Sequence, residues 1–164
     1  MKQLKKKPRV VGIDPGYEKL GLAIVEKQIG QDKLLFSTCL ITNKETAFNI
    51  RLKTIGEEFE SIIKIWQPRI LALEKVFWGN NQKTANRVSE VRGMLLYLAA
   101  KNDLSIFEYT PMEIKLTIAG YGKASKNQVI KMTEILAGLK DKKTHDDEYD
   151  AIATGFTCLA REKI

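Results

Sequence analysis

Hydrophobic positions change their spacing repeatedly along the chain, and each change marks an element. Residues 9–13 are a run rich in Val and Ile that enters Asp14-Pro15-Gly16, a turn signal. Residues 20–25 and 34–41 form two further apolar runs, and the short turn between the first two strands predicts an antiparallel hairpin. From 46 to 66 the spacing becomes three and four, at Phe48, Leu52, Ile55, Phe59, Ile62, Ile63 and Trp66, which predicts a helix that Pro68 ends. Residues 69–74 hold the short run ILALE, consistent with a buried strand. A second helix over 83–101 places Val88, Val91, Leu95 and Leu98 on one face, and 104–109 reads as a fifth strand. A loop containing Gly120 and Gly122 leads to a helix from about 125 to 139. The lysine-rich linker 140–143 precedes a final helix over 146–161. This order, βββαβαβαα, predicts an α/β fold with a mixed sheet and helices on its faces. The 164 residues suit one domain, with 1–8 as a basic tail, and carry no internal repeat.

The last helix has an unusual polarity. Residues 151–160, AIATGFTCLA, carry no charge. Ile152, Phe156 and Leu159 form a core stripe, while Ala151, Thr154 and Cys158 keep the other side small. A solvated helix would place Lys or Glu there, so this one is expected to be enclosed. Asp147 and Asp150 stand at its mouth, three residues apart and within reach of each other. Buried carboxylates need partners. Taken alone, Asp147 fits helix capping, since Thr144-His145-Asp146-Asp147 matches a capping-box pattern. Capping does not account for Asp150. Asp14 and Glu74 end the first and fourth strands, and would project together if those strands are adjacent and parallel. Alone, Asp14 also fits a turn, and Glu74 a surface acid paired with Lys75.

Four carboxylates without a histidine or cysteine cluster suit Mg²⁺ better than zinc. Two such ions can activate a water and stabilise the leaving oxygen of a phosphodiester. The charge of +7, from 27 Lys+Arg against 20 Asp+Glu, favours an anionic partner such as nucleic acid, although a basic excess also keeps proteins soluble. Phe77 and Trp78 follow Glu74 in a polar stretch, where an aromatic can stack on a base or pack at the edge of the core. Lys115, Lys123 and Lys126 surround the glycine-containing loop, either as phosphate contacts or as solvated lysines. No apolar run approaches the roughly 20 residues of a membrane span, and the basic N-terminus lacks a signal-type apolar block. Cys39 and Cys158 show no ligand spacing, so a reduced, cytoplasmic setting is expected.

With these residues assembled, the chain resembles the RuvC family of Holliday-junction resolvases, in the ribonuclease-H-like superfamily. The likeness runs from 10 to 159. Gly12-Ile13-Asp14-Pro15-Gly16 resembles the family's first-strand motif, and Glu74-Lys75-Val76-Phe77 its second acidic motif. Arg92-Gly93 is similar to a pair in its central helix, and Phe107-Glu108-Tyr109 to its fifth strand. Asp147-xx-Asp150-Ala-Ile-Ala resembles its C-terminal acidic motif. The first turn alone is weak, because sugar-kinase and actin-like ATPases open similarly. The ordered set is specific.

The resemblance implies a ribonuclease-H-like mixed five-stranded sheet with helices on both faces. It implies a homodimer that nicks two strands of a four-way junction symmetrically in recombination and repair, with a branch-migration complex as a further partner. Asp14, Glu74, Asp147 and Asp150 are then catalytic acids holding two Mg²⁺ ions, with Mn²⁺ as a substitute. Phe77 matches an aromatic that stacks on junction bases, and Lys115 and Lys126 match lysines near the cut. Lys123 joins them as a DNA-binding candidate from its position in the loop. Trp78-Gly79 departs from the family pattern. His145 lies two residues before Asp147, about 200° around a helix, which suits capping or solvent better than metal. Two other functions remain open on the residues alone. A relative acting on structured RNA, such as ribosomal-RNA precursor, could use the same acids. A non-catalytic junction-binding protein would not need them intact.

Overall fold

The computed structural model describes residues 7–75, 82–139 and 145–164. Its first three strands, β1 (Arg9–Asp14), β2 (Lys19–Glu26) and β3 (Lys33–Ile41), form an antiparallel meander, as the short connections require. Helix α1 (Phe48–Trp66) then crosses over to β4 (Ile70–Glu74), which lies parallel to β1. Helix α2 (Gln82–Lys101) leads in the same way to β5 (Ser105–Tyr109), parallel to β4. The sheet order is β3-β2-β1-β4-β5, a mixed five-stranded sheet with β1 at its centre.

Strand alternation sorts the apolar residues into two layers. Val11, Ile13, Leu20, Leu22, Ile24, Leu71 and Leu73 face α1 and α2, against Ile55, Phe59, Val91 and Leu95. Val10, Ala23, Val25, Ile70 and Ala72 face the opposite way. There they meet α3 (Pro111–Ala119), α4 (Lys126–Ala137) and α5 (Asp146–Arg161). Each large apolar side chain removed from water stabilises the fold by about 1.5–3 kcal/mol, so both layers hold the sheet firmly. Helices thus cover both faces, as expected from the sequence.

Helix α3 was not foreseen; residues 111–119 carry a helix of their own between β5 and the glycine loop. Its signal is local. Thr110 and Glu113 form a capping box, Pro111 occupies the first turn, and Gly120 closes the end with φ 73°. The capping pattern expected at 144–147 fares differently. His145 is the N-cap of α5 but its side chain makes no cap bond, and Thr144 lies outside the described residues. Helix α1 begins two residues later than expected, after Ala47, and ends in a left-handed Gln67 before Pro68.

Helix α5 is enclosed, with every residue from 151 to 159 buried. It sits unusually close to the sheet. A Cβ on Gly12 would lie 2.6 Å from the Gly155 backbone nitrogen, and one on Gly21 would overlap the carbonyl of Asp147. Only glycine permits that approach, and the small residues of α5 face it. This contact fixes the start of α5 against β1 and β2, and so fixes where Asp147 and Asp150 stand.

Candidate active site

Asp14 and Glu74 are the last residues of the adjacent parallel strands β1 and β4, whose register pairs Ile13 with Leu73 immediately before them. Asp147 and Asp150 come from the first turns of α5, which lies across β1 and β2. Three distant segments therefore place four acidic residues around the ends of β1 and β4 and the start of α5. Each is only partly exposed.

Their electrostatics meet at Asp14, on which the other three all act. Burial pushes Asp14 from 3.8 up to about 8, and the charges of Glu74, Asp150 and Asp147 add to it. Glu74 is pushed from 4.5 up to about 7, first by burial and then by Asp150. Burial likewise raises Asp150, with the Lys126 ammonium opposing the shift. Lys115 and Lys126 act on Glu74 in the same opposing sense. Carboxylates so raised by burial and mutual repulsion lack positive charge. The donor set is all hard oxygen, which fits a divalent cation of the Mg²⁺ class. Among the described residues, no three acidic, histidine or cysteine side chains converge tightly enough to make a closed metal cluster. The four acids thus form an open carboxylate field rather than a finished cage, and a hard cation there would draw waters or phosphate oxygens into its shell.

Two concavities flank the acids. One, about 240 Å³, is lined by Glu74, Asp150, Lys115 and Lys126 with Pro111, Ile114 and Val129. The other, about 840 Å³, runs past Asp147 along the β1–β2 turn, and Val88, Lys126 and His145 line it. Lys126 is common to both. Its Nζ lies 3.0 Å from Asp146 Oδ2 and 3.5 Å from Asp150 Oδ2. Lys123 is exposed in the loop before α4 and lines neither concavity. The structure therefore brings Lys115 and Lys126 to the acids but not Lys123. Phe77, Trp78, Lys140, Lys142 and Lys143 lie outside the described residues.

Two arginines that the sequence reading gave no such role hold the strand ends. Buried Arg51 donates from Nη2 to the Tyr17 carbonyl at 2.9 Å and from Nε to Thr42 Oγ1 at 2.8 Å. It thereby fixes the turn that follows Asp14. Arg92 donates from Nη1 to the Glu74 carbonyl at 3.0 Å and pairs with Glu108 on β5. These bonds immobilise backbone, so their donors are not apparent from side-chain spacing. The sequence signals were Arg51 itself, a charge set on the otherwise apolar face of α1, and the Arg92-Gly93 pair.

A family model described as "Crossover junction endodeoxyribonuclease RuvC" matches residues 10–158. The protein of that name from Thermosipho melanesiensis is 39% identical over 154 residues, covering 94% of this chain and 98% of the relative. The one from Moorella thermoacetica is 40% identical over 144 residues, covering 88% and 86%. Among solved structures, the T. thermophilus RuvC in complex with a Holliday junction substrate superposes with a TM-score of 0.88 at 27% identity, covering 93% of each chain. The yeast mitochondrial Holliday junction resolvase shares the fold, with a TM-score of 0.63 at 14% identity over 97% of this chain and 81% of that one.

Proposed function

The chain belongs to the RuvC family of crossover junction endodeoxyribonucleases, and on that premise we propose that it resolves four-way DNA junctions through Asp14, Glu74, Asp147 and Asp150. The observation that carries this reading is geometric: Asp14 and Glu74 end adjacent parallel strands, and Asp147 and Asp150 open the helix packed across β1 and β2. In the proposal the acids hold two Mg²⁺ ions, or Mn²⁺ in their place. Bound cations of this kind supply an activated water and neutralise the leaving 3′ oxygen.

The chain's own groups do the rest. Asp14 and Glu74 offer oxygen donors from rigid strand ends, and Asp147 and Asp150 offer theirs from a helix fixed against the same strands. Arg51 and Arg92 keep the strand ends from relaxing away from one another. Lys115 and Lys126 border the concavity beside Glu74, where they offset repulsion between DNA phosphates and the acids. Phe77 stacks on an unpaired base at the branch point, and Lys123 contributes a peripheral phosphate contact. A flexible junction bends into the acidic site more readily than a continuous duplex, so selection rests on shape and deformability. Residues 1–164 act as one domain with a basic tail at 1–8. Two copies form a homodimer whose two-fold axis matches the junction and yields symmetric nicks. A branch-migration complex is a further partner in the proposal, and the setting is cytoplasmic. Among the described residues, no helix is long and apolar enough to cross a membrane.

The test is cleavage of a synthetic four-way junction with and without Mg²⁺, beside linear duplex DNA and structured RNA. Paired, symmetric nicks in the junction alone, dependent on Mg²⁺, are the expected result. Preferential RNA cutting, or metal-independent nicking, would refute the proposal. An active species that sediments strictly as a monomer would remove the dimer from it.

A further inference from the structure

Lys126 stands between two acids of unequal standing. Asp150 is one of the four proposed metal-binding carboxylates, and its side chain is 30% exposed. Asp146, one helical turn earlier on α5, is 62% exposed and has no place in that set. The ammonium lies closer to the exposed acid, at 3.0 Å, than to the buried one, at 3.5 Å. Low-dielectric surroundings strengthen charge pairing, so a lone lysine would be expected to settle on the more buried carboxylate. The observed placement is the reverse.

The backbone accounts for where Lys126 can reach. It is the first residue of α4, behind a Ser125–Gln128 capping box, and Val129 anchors the same turn in the core. The lysine therefore starts from a fixed point, and only its side chain chooses between the acids. Its contact with Asp146 is solvent-exposed, and such pairs add little to stability. A role in the site is a better account of it than a role in the fold.

We propose that Asp146 is a positioning residue that shares the Lys126 ammonium with Asp150, loosens its hold on Asp150 Oδ2 and so eases the approach of a divalent cation. The inference rests on the metal-binding reading above. A cation and the ammonium compete for the same carboxylate. Sharing the ammonium with Asp146 weakens that competition and keeps the lysine at the rim, where a phosphate can take it over. Without Asp146, Asp150 is the carboxylate paired with the ammonium among the described residues.

The experiment is Mn²⁺ binding to the DNA-free full chain, followed by electron paramagnetic resonance, so that affinity is read without turnover. Asp146→Asn should weaken binding by roughly two- to five-fold, the range of an exposed ion pair. Asp146→Glu should restore most of the loss. In a Lys126→Met background, Asp146→Asn should have no further effect, because the residue acts through the lysine. A loss that persists undiminished in that background would mean Asp146 attracts the cation directly, and would overturn the proposal. So would an unchanged affinity in Asp146→Asn alone. Wild-type protein that binds no Mn²⁺ would overturn both this inference and the metal reading on which it stands. Asp146 is exposed, and matching melting temperatures for all variants would confirm that folding is not the cause.

Discussion

Asp14 concentrates the physics of the site in one side chain. It is held protonated near neutrality by burial first and by three neighbouring acids second, with a value of about 8 against 3.8. The sign of the consequence is fixed by linkage. A carboxyl raised in the folded state favours folding fully below its unfolded value, and that contribution is lost as pH rises through the folded one. Metal-free protein should therefore lose stability between about pH 4 and pH 8. Asp14→Asn should flatten that loss and raise the melting temperature at pH 8 by several degrees, as about 1 kcal/mol shifts Tm by roughly 2–4 °C at this size. Scanning calorimetry in chelator would check it, and an equally steep decline in the variant would contradict the account. The same substitution should abolish junction cutting while leaving junction binding largely intact, which a gel-shift and nicking assay on one sample can separate. Strand-end positions made Asp14 and Glu74 legible in the sequence, and the uncharged run behind Asp147 and Asp150 did the same for that pair. Asp146 was not legible as a partner of Lys126, because nothing in spacing says which of two neighbouring acids an ammonium will prefer.

At the scale of elements, α5 decides whether the acids meet. The sequence announced an enclosed helix through its uncharged run 151–160, and the structure buries 151–159 of it. The spacing could not reveal how close it lies to β1 and β2, since the contact depends on Gly12 and Gly21, at the far end of the chain from α5. Gly21→Val should force α5 off the sheet at Asp147, and overpacking of this kind costs about 1–3 kcal/mol. Urea denaturation would measure it, and nicking should fall further than the stability loss explains. Helix α3 makes the opposite point. Its capping box was readable at Thr110 and Glu113, but only 9 residues follow the cap, too few for the apolar period to stand out. Thr110→Ala should remove about 1 kcal/mol, the usual value of such a cap, with smaller effect on cutting.

For the molecule as a whole, the net charge of +7 coexists with an acidic centre, so the positive excess must be distributed around it. Lys115 and Lys126 supply part of that rim. Junction affinity should fall steeply with salt, and Lys115→Met should reduce the slope of log K against log salt by about 1 if it neutralises one phosphate. Fluorescence anisotropy with the Asp14→Asn variant would read this without cleavage. An unchanged slope would place Lys115 off the DNA path.

The seating of α5 also sets an order of events in time. It follows every strand in the chain, yet it lies across the first two. During synthesis the segments bearing Asp14 and Glu74 emerge long before Asp147 and Asp150 exist. If the four acids act together as proposed, a half-made polypeptide lacks half of the set, and cutting would begin only once the final helix docks.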